Sequence, residues 1–427
     1  MWRKFSFWKD NVLATWMVFA VLGFLAMLSE VKIFDAFNPI EETFSDIEVT
    51  DIVFSKIRQD PQPDTNIVLV NISTISRFEI ARQLEIIRQH DPAAVGLDVF
   101  FFDQQEDVLG DMYLADQLKN TPNLVTVSRL EPDENGNFKK IHYSDSLFIQ
   151  NGDIGFANLN TQADFQKDYK TCRVFPVSWK IKDETHYPFA LELVRKVDPQ
   201  KADIFLARDK ENEVINYRGN IAMPLDAEHY PISFYTLDAQ EVLQGRFQPG
   251  MLRNKIVLLG YMGDYVGDAS WEDRFYTPLN KKYAGKTNPD MYGVVIHANI
   301  ISMILNETYI NQYSDRTNLG LVVAFIVTFL NLTFFSVIHI RLKKYYDLIT
   351  KSFQILEVMV LLYISVIALN YLDIKLSMTI IITSVILSGD LLEIYYNSLG
   401  PISRGIGRLY HKVSGRLAQW KLRLGKL

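Results

Sequence analysis

Residues 66–101 read NIVLVNISTISRFEIARQLEIIRQHDPAAVGLDVFF, and this stretch decides the fold. Its two ends, 66–72 and 93–101, are almost continuously apolar, which is typical of strands buried on both faces of a sheet. Between them, residues 76–90 carry apolar side chains at helical spacing and end just before Pro92. The stretch therefore predicts a strand, a helix and a second strand, the unit from which parallel sheets are built.

Further runs with strand character follow, interleaved with amphipathic stretches. They are NLVTVSRL (123–130), IGFANLN (154–160), VFPVSWK (174–180), EVINYRG (213–219) and NKIVLLGYMG (254–263). An apolar helix, GVVIHANIISMIL, starts near Gly293 and leads through a short polar bridge into an even more apolar run. This alternation predicts an α/β domain with a mostly parallel or mixed sheet flanked by helices.

Four runs are long and apolar enough to cross a membrane as helices, one near the N-terminus and three near the C-terminus. The sequence divides accordingly into a cytoplasmic N-terminus (1–10), a first span (11–29), an extracytoplasmic domain (30–316), further spans at 317–338, 352–372 and 376–396, and a basic cytoplasmic tail (397–427). A cleaved signal peptide is the alternative for the first run. The run is longer than a usual signal core, and no small-residue cleavage motif precedes Glu30.

Charge is distributed unevenly along the 427 residues, whose net charge is −6. Residues 30–316 hold 44 acidic and 29 basic side chains, a net charge of −15, so the remainder carries +9. Basic residues flank the first and second spans at the ends that face away from the acidic domain, and they fill the tail. The positive-inside rule therefore places both termini in the cytoplasm. We therefore expect a multi-pass protein of the bacterial inner membrane with its main domain in the periplasm.

Three acids lie inside the predicted spans, and intramembrane acids are functional candidates by default. Glu357, Asp390 and Glu393 all map to the cytoplasmic ends of their helices in this topology, so interfacial exposure or pairing with Lys351 or Arg404 is an alternative explanation. The tail repeats basic residues every four positions, which favours a helix lying on anionic lipid headgroups or docking a partner.

The usual signatures of catalysis and metal binding are missing from the sequence. The single cysteine, Cys172, excludes an intramolecular disulfide, and the seven histidines are scattered without paired ligand spacing. Neither a GxSxG elbow nor a Walker A motif occurs. We therefore expect no catalytic residues, no metal and no cofactor, and we interpret Gly260, Gly263 and Gly267 as a tight turn after a strand.

Ligands of open parallel sheets bind outside the carboxyl ends of the strands, so polar residues just after the apolar runs are ligand-binding candidates. These candidates are Asn71, Ser73, Asp98, Asp103, Arg218, Asp264 and Asp268. Asp98 lies within an apolar run, where an unpaired carboxylate is costly. It therefore needs a partner, and capping a loop or pairing with Arg218 is the structural alternative to ligand contact.

The ordered pieces "NIVLVNIS", "DPAAVGLDVFFFD", "GFAN…CRVFPV", "YPFALELV", "INYRG", "NKIVLLGYMGD", "DRFYTPL" and "YGVVIHANIISMIL", followed by three closely spaced spans, resemble the second type of the CHASE family. These are cyclase/histidine-kinase-associated sensory extracellular domains. The resemblance covers about residues 37–311 and the three-helix block. It implies a sensory module of bacterial signalling proteins, which is normally fused to a kinase or cyclase and often dimeric.

The segment WEDRFYTPL matches the most recognisable loop of that family. The resemblance therefore points to Asp273, Thr277 and Pro278, together with His297 in the apolar helix, as residues that couple the domain to its membrane helices. A buried histidine satisfied by a backbone or carboxylate partner is the structural alternative for His297.

Only 28 residues follow Leu399, too few for a kinase or cyclase domain. We therefore expect a sensor that binds a ligand or protein and signals through its membrane helices to a separate effector. The alternative is a structural or assembly subunit of a cell-envelope complex. Expected partners are membrane lipids and an unidentified membrane or envelope protein, with a homo-oligomer implied by the resemblance. The acidic outer domain argues against nucleic acid.

Overall fold

The computed structural model describes residues 2–29, 48–132, 138–149, 152–159, 171–222, 231–268, 272–280 and 288–399. The chain forms two compact units. The outer unit is Glu42–Asn311, and the membrane unit combines Met1–Glu41 with Gln312–Leu427.

The outer unit is built on a seven-stranded sheet in the order β10-β1-β11-β2-β3-β4, with β5 also paired to β3. The strands are β1 (Ile67–Asn71), β2 (Ala94–Asp98), β3 (Leu124–Pro132), β4 (Phe138–His142), β5 (Asp153–Phe156), β6 (Val174–Pro176), β7 (Trp179–Ile181), β8 (Glu184–His186), β9 (Asn212–Val214), β10 (Tyr235–Leu237), β11 (Ile256–Gly260), β12 (Arg274–Phe275) and β13 (Met291–Tyr292). All neighbours in the main sheet are parallel except β3 and β4. The α/β architecture with a predominantly parallel sheet is therefore confirmed.

Helices cover both faces of this sheet. In the outer unit they are α2 (Val49–Ile52), α3 (Arg77–Arg88), α4 (Val108–Asn120), α5 (Phe189–Val197), α6 (Pro199–Leu206), α7 (Ala239–Leu243) and α8 (Gly293–Leu305). A π-helix, Val53–Ile57, follows α2, and a 3-10 turn, Pro249–Met251, precedes β11. Helices α3, α4 and α7 share one layer, whereas α5, α6 and α8 lie on the opposite face.

The first strand–helix–strand unit forms for the reasons that its sequence suggests. Ser76 caps α3 by accepting a hydrogen bond from the Glu79 amide, and the Glu79 carboxylate accepts one from the Ser76 amide in return. The face of α3 that carries Leu84 and Ile87 is fully buried against the sheet. Burial of these side chains removes apolar surface from water and fixes the helix on the sheet.

Two of the predicted strands lie outside the main sheet. The run 174–180 contributes β6 and β7, and the run 213–219 overlaps the end of β9. β6 pairs with β9, and β7 pairs with β8, each as a separate two-stranded antiparallel sheet. Apolar content identified the strand-forming residues here but not their partners, since short apolar runs also suit small satellite sheets.

The membrane unit contains four helices and a short two-stranded sheet. They are α1 (Trp2–Ser29), α9 (Asn318–Arg341), α10 (Tyr346–Leu372), α11 (Thr379–Ile394), β14 (Asn311–Ser314) and β15 (Ile374–Ser377), with a 3-10 turn at Lys343–Tyr345 and a π-helix at Tyr395–Leu399. Four segments are long and apolar enough to cross a membrane: Phe7–Met27, Asn318–Arg341, Lys343–Leu372 and Thr379–Ser398. β14 and β15 pair with each other, and helix α11 packs against α1, α9 and α10.

The third and fourth helices differ from their predicted bounds. α10 begins at Tyr346 rather than at 352, so Glu357 lies halfway along the candidate span Lys343–Leu372 and not at its end. There its carboxylate accepts a hydrogen bond from Asn331 Nδ2 at 2.9 Å. Asp390 does pair with Lys351, at 2.6 Å. Arg404 and residues 400–427 of the predicted tail lie outside the described residues.

Candidate functional site

The carboxyl edge of the central strands has the topology of a ligand-binding edge. Asn71 at the end of β1 lies opposite Gly260 of β11, which in turn lies opposite Asp98 of β2. The helix that follows β11 covers one face of the sheet, whereas the helices that follow β1 and β2 cover the other. The helix that follows each strand therefore changes from one face of the sheet to the other on both sides of β11, which is where parallel sheets leave a crevice.

Both polar atoms of the Asn71 side chain form hydrogen bonds at this edge of the sheet. Its Nδ2 donates to the Gly263 carbonyl at 2.9 Å and to Asp238 Oδ1 at 3.2 Å. Its Oδ1 accepts from the amides of Ser73 and Met262, both at 2.9 Å. The side chain is completely buried, so the structure places Asn71 as a link between the end of β1 and the loop after β11.

The loop after β11 brings together three of the predicted ligand-binding residues. Ser73 Oγ donates to the Asp264 carbonyl at 2.8 Å, and the Asp264 amide donates to Asp268 Oδ2 at 3.2 Å. Gly263 and Gly267 have φ of 90° and 91°, a conformation that side chains rarely adopt. The turn interpretation of these glycines is therefore confirmed.

A second group of side chains lies around the end of β2. Asp98 Oδ2 lies 4.0 Å from His297 Nε2 of α8, an electrostatic contact too long for a hydrogen bond. A Cβ atom built on Gly293, the first residue of α8, would lie 3.3 Å from Asp273 Oδ2. We call Asp98, Asp273 and His297 the carboxyl-edge cluster.

Ionisation in the carboxyl-edge cluster is strongly perturbed. Burial raises the pKa of Asp98 to about 7, although 16% of its side chain is exposed. Asp273 is exposed as a residue, but the protein around its carboxyl group raises the pKa to about 7, and the negative charges of Asp98 and Glu272 add to this effect. Near neutral pH the two carboxyl groups are therefore close to their titration points.

His297 has the opposite perturbation. Burial lowers the pKa of its imidazole to about 4, and the Ala157 backbone opposes this shift. The residue is 2% exposed, its ring packs edge-on against Phe189 with centroids 5.3 Å apart, and its Nδ1 has no hydrogen-bond partner among the described residues. His297 is therefore a neutral imidazole at pH 7, facing a carboxyl group of variable charge.

Asp273 is held in place by its neighbours on both sides. It has a left-handed backbone, with φ of 55°, and its carbonyl accepts from the Gly293 amide at 3.1 Å. The next residue, Arg274, donates to the Tyr292 hydroxyl at 3.0 Å and to the Asp268 carbonyl, and its guanidinium lies over the Tyr292 ring. The loop after β11 and the start of α8 are thereby joined.

Thr277 and Pro278 are buried in the same segment. Thr277 Oγ1 donates to Asp290 Oδ2 at 2.5 Å, and the Thr277 amide donates to Asp290 Oδ1 at 2.8 Å. Burial raises the pKa of Asp290 to about 7, while these hydrogen bonds act in the opposite direction. The contacts stabilise the outer unit, and the role of Thr277 and Pro278 in membrane coupling stays a prediction.

Two predicted ligand-binding residues lie away from the carboxyl-edge cluster. The pairing of Asp98 with Arg218 is wrong, because Arg218 Nη1 donates to the Gln62 carbonyl at 2.7 Å and its amide donates to Asn299 Oδ1 at 2.8 Å. Asp103 is an exposed residue whose carbonyl accepts from Arg77 at 2.6 Å. β2 ends at Asp98, five residues before Asp103, and β9 ends at Val214 in a separate two-stranded sheet, four residues before Arg218. Spacing along the chain does not report which loops meet.

A family comparison identifies the domain that carries this arrangement. The CHASE2 domain model matches residues 12–338, more than half of the chain. The chain belongs to the CHASE2 domain family. CHASE2 is a family of sensory extracellular domains, in keeping with a multi-pass membrane protein. No curated protein and no solved structure matches the chain significantly.

The carboxyl-edge cluster gives this CHASE2 domain specific chemical capabilities. Two carboxyl groups that titrate near neutrality and a neutral imidazole can donate or accept hydrogen bonds, and they can take up a proton when a ligand arrives. Among the described residues, no group of three or more histidine, cysteine, aspartate or glutamate side chains is placed to hold a metal ion.

Sequence reasoning missed three polar residues that shape this part of the CHASE2 domain. Asp238, which follows β10, accepts a hydrogen bond from Asn71, and Asp290 accepts one from the Thr277 hydroxyl. Asn299, a buried residue of α8, accepts hydrogen bonds from the amides of Arg218 and Gly219. Asn299 carried a usable signal, since an amide inside the apolar helix GVVIHANIISMIL must find partners. Asp238 and Asp290 lie next to short strands and gave no comparable signal.

Proposed function

We propose that this chain is a bacterial inner-membrane sensor whose CHASE2 domain, on the periplasmic side, binds a ligand or protein at the carboxyl-edge cluster. The change in charge and hydrogen bonding there is passed through α8 to the membrane helices and on to an effector, which we expect to be a separate protein. The observation that carries this proposal is the CHASE2 match over residues 12–338, which includes both helices that flank the domain.

The position of α8 supports a transmitting role. Its first turn adjoins Asp273, and its second turn presents His297 to Asp98. The chain runs from the end of α8 at Leu305 to the start of α9 at Asn318 with only a short connection between them. A displacement of α8 would therefore be transmitted through this connection to the start of the second candidate span.

The charge pattern supports the proposed topology. Basic residues border the first two candidate spans at the ends that face away from the domain, while the domain between these spans is acidic. Long acidic domains are translocated without contradicting the positive-inside rule. Cytoplasmic termini and an outer CHASE2 domain are the arrangement that satisfies both features.

Quantitative purification from native membranes tests the sensor proposal. The tagged full chain is isolated in a mild detergent, and the co-purifying proteins are counted in proportion to the bait. We expect a substoichiometric signalling enzyme, since a sensor and its effector associate transiently. A fixed-ratio envelope partner that is retained under all conditions would instead identify a structural or assembly subunit and overturn the proposal.

A further inference from the structure

Large apolar side chains are exposed at the start of α4 and on the elements beside it. The exposed fractions are 77% for Leu109, 61% for Val108, 60% for Met112, 60% for Phe102 and 44% for Phe78. We call these five residues the apolar platform. Single exposed apolar residues are ordinary, but a group of five is typical of an interaction surface.

Arg77 ties together the three segments that carry the platform residues. Arg77 Nη2 donates to the Asp103 carbonyl at 2.6 Å, and Nη1 forms a buried ion pair with Asp111 of α4 at 2.8 Å. Asp103 adjoins Phe102, and Arg77 adjoins Phe78. The Phe78 ring also contacts the Tyr113 ring of α4, with centroids 5.0 Å apart.

The platform is preformed. Asp111 Oδ2 accepts from the Gln105 amide at 2.7 Å, and Asp107 caps α4 by accepting from the Gly110 amide at 3.0 Å. These bonds fix the end of the loop that leads into α4 without using any platform side chain. A partner therefore meets an ordered surface, which lowers the entropic cost of binding.

Charge around the platform selects the kind of partner. The charged residues of the loop before α4 are Asp103, Glu106 and Asp107, and all three are exposed acids. A second copy would bring these acids together, and an anionic lipid surface would repel them. Near Phe78 the α3 side of the platform also carries the exposed cation Arg82, so the acids are concentrated at the Phe102 and Val108 side. Apolar contact next to these three acids fits a protein segment that carries apolar side chains flanked by lysine or arginine.

We propose that the apolar platform docks an extracytoplasmic segment of a partner protein that presents apolar side chains flanked by basic residues. The loop that carries Phe102 leaves β2 directly after Asp98, so the docking surface and the carboxyl-edge cluster share one strand. Docking does not depend on a ligand at the cluster, and it applies equally to a sensor and to an assembly subunit.

Site-specific photocrosslinking in native membranes tests the docking surface. p-Benzoylphenylalanine replaces Leu109 or Met112 in the full chain, and Ile204 of α6, which is 45% exposed, is the matched control position. We expect crosslinking to another protein at least tenfold above the control. The crosslinked peptide should be extracytoplasmic and contain apolar residues next to lysine or arginine. A crosslink to a second copy, to lipid or to an acidic segment, or no excess over the control, would overturn the proposal.

Two double variants separate the apolar and electrostatic contributions to docking. With the crosslinker at Leu109, Phe102→Ser with Met112→Ser should lower the yield at least fivefold. Asp103→Asn with Glu106→Gln should lower it at least threefold, while Ile204→Ser should have no effect. All these side chains are exposed, so the fold should persist, and unchanged protease resistance of the outer domain verifies this. An unchanged yield in a folded double variant contradicts the proposed surface.

Discussion

At the scale of single residues, the carboxyl-edge cluster is defined by burial rather than by ion pairing. Asp98 ionises near its ordinary pKa of 3.8 when the chain is unfolded, but near 7 in the folded protein. The folded state therefore binds more protons between these two values. The free energy of unfolding consequently falls as the pH rises from about 4 to about 7.

Asp98→Asn should remove this pH-dependent cost. We expect the variant to be more stable than the wild type at pH 8, with the advantage disappearing toward pH 4. At about 1.4 kcal/mol per pKa unit, the shift sets a ceiling of about 4 kcal/mol, and partial solvation of Asp98 lowers the gain. Unfolding of the full chain in nanodiscs, followed by pulse proteolysis across pH, measures the difference. A variant that loses stability at pH 8 would contradict the assignment.

Asn71→Ala should destabilise the outer unit by about 2–4 kcal/mol, because it leaves the buried amides of Ser73 and Met262 and the Gly263 carbonyl without a partner. Denaturant unfolding at pH 7 measures this loss. Asp264→Asn is the control, since the Asp264 side chain is exposed, and it should change stability by no more than about 0.5 kcal/mol. Equal effects of the two substitutions would argue against a structural role for Asn71.

The residue scale also shows what sequence can and cannot predict about the site. Asn71, Asp98 and Asp264 were found because polar residues that end buried strands lie at one edge of a parallel sheet. The contact between Asp98 and His297 joins β2 to a helix about 200 positions later in the chain. One sequence carries no local signal for such a contact, and the Arg218 pairing was wrong for this reason.

At the scale of elements, glycines set how closely the helices approach the sheet. A Cβ atom at Gly155 would lie 2.4 Å from the Phe189 Cα, which is backbone at the start of α5. At Gly96 the nearest atoms, at 2.8 Å, are ends of the side chains of Leu193, Leu258 and Phe189. The side chains near Gly96 can change rotamer to make room for a methyl group, whereas the backbone near Gly155 cannot move without shifting α5. An added methyl group should therefore cost more stability at Gly155 than at Gly96.

Gly155→Ala should therefore cost about 3 kcal/mol and Gly96→Ala about 1 kcal/mol. Gly250→Ala is the control, because no atom lies within 4 Å of its Cβ position, and it should be neutral. Thermal unfolding of the three variants in nanodiscs gives the order. Equal losses at Gly155 and Gly96 would mean that α5 shifts freely on the sheet, contrary to the packing described.

The start of the fourth membrane helix depends on a residue outside it. Asp315 Oδ2 accepts from the amides of Ile380 and Ile381, which are the first-turn donors of α11. Asp315→Ala should therefore destabilise the membrane unit by about 1–2 kcal/mol, measured as thermal loss of helix in detergent. Arg316→Ala, at an exposed neighbouring position, should have little effect. Similar effects of both variants would rule out the cap.

Strands were predicted correctly where a short, continuously apolar run corresponds to a strand buried on both faces of the sheet. The runs 66–72, 93–101 and 254–263 became β1, β2 and β11 because strands buried on both faces need apolar residues throughout. The predicted span 352–372 starts six residues inside α10, which begins at Tyr346, and polar residues of this helix such as Thr350 and Gln354 are buried inside the membrane unit. Residue hydropathy does not include the hydrogen bonds that these side chains make, from Thr350 to the Tyr346 carbonyl of the same helix and from Gln354 to the Val385 carbonyl of α11.

At the scale of the whole molecule, α8 is the element that, in the proposed function, links ligand binding to the membrane helices. Nearly all of its residues are buried, it carries His297 and Asn299, and the chain continues from it into the second candidate span. A fully buried helix moves as a body rather than bending locally, because its packing is close on every side. A change of charge at the carboxyl-edge cluster is therefore expected to shift α8 as a unit.

Pulsed electron–electron resonance tests this central claim most directly. Spin labels are attached to the cysteines introduced by Gln89→Cys and Lys344→Cys in full-length protein in nanodiscs. The native Cys172 is buried, and burial raises the pKa of its thiol to about 12, so it should not be labelled. Between pH 8 and pH 5.5, Asp98 and Asp273 gain protons, and the account predicts a shifted distance distribution that Asp98→Asn reduces or abolishes. Identical distributions at both pH values in the wild type would contradict transmission from the cluster to the membrane helices.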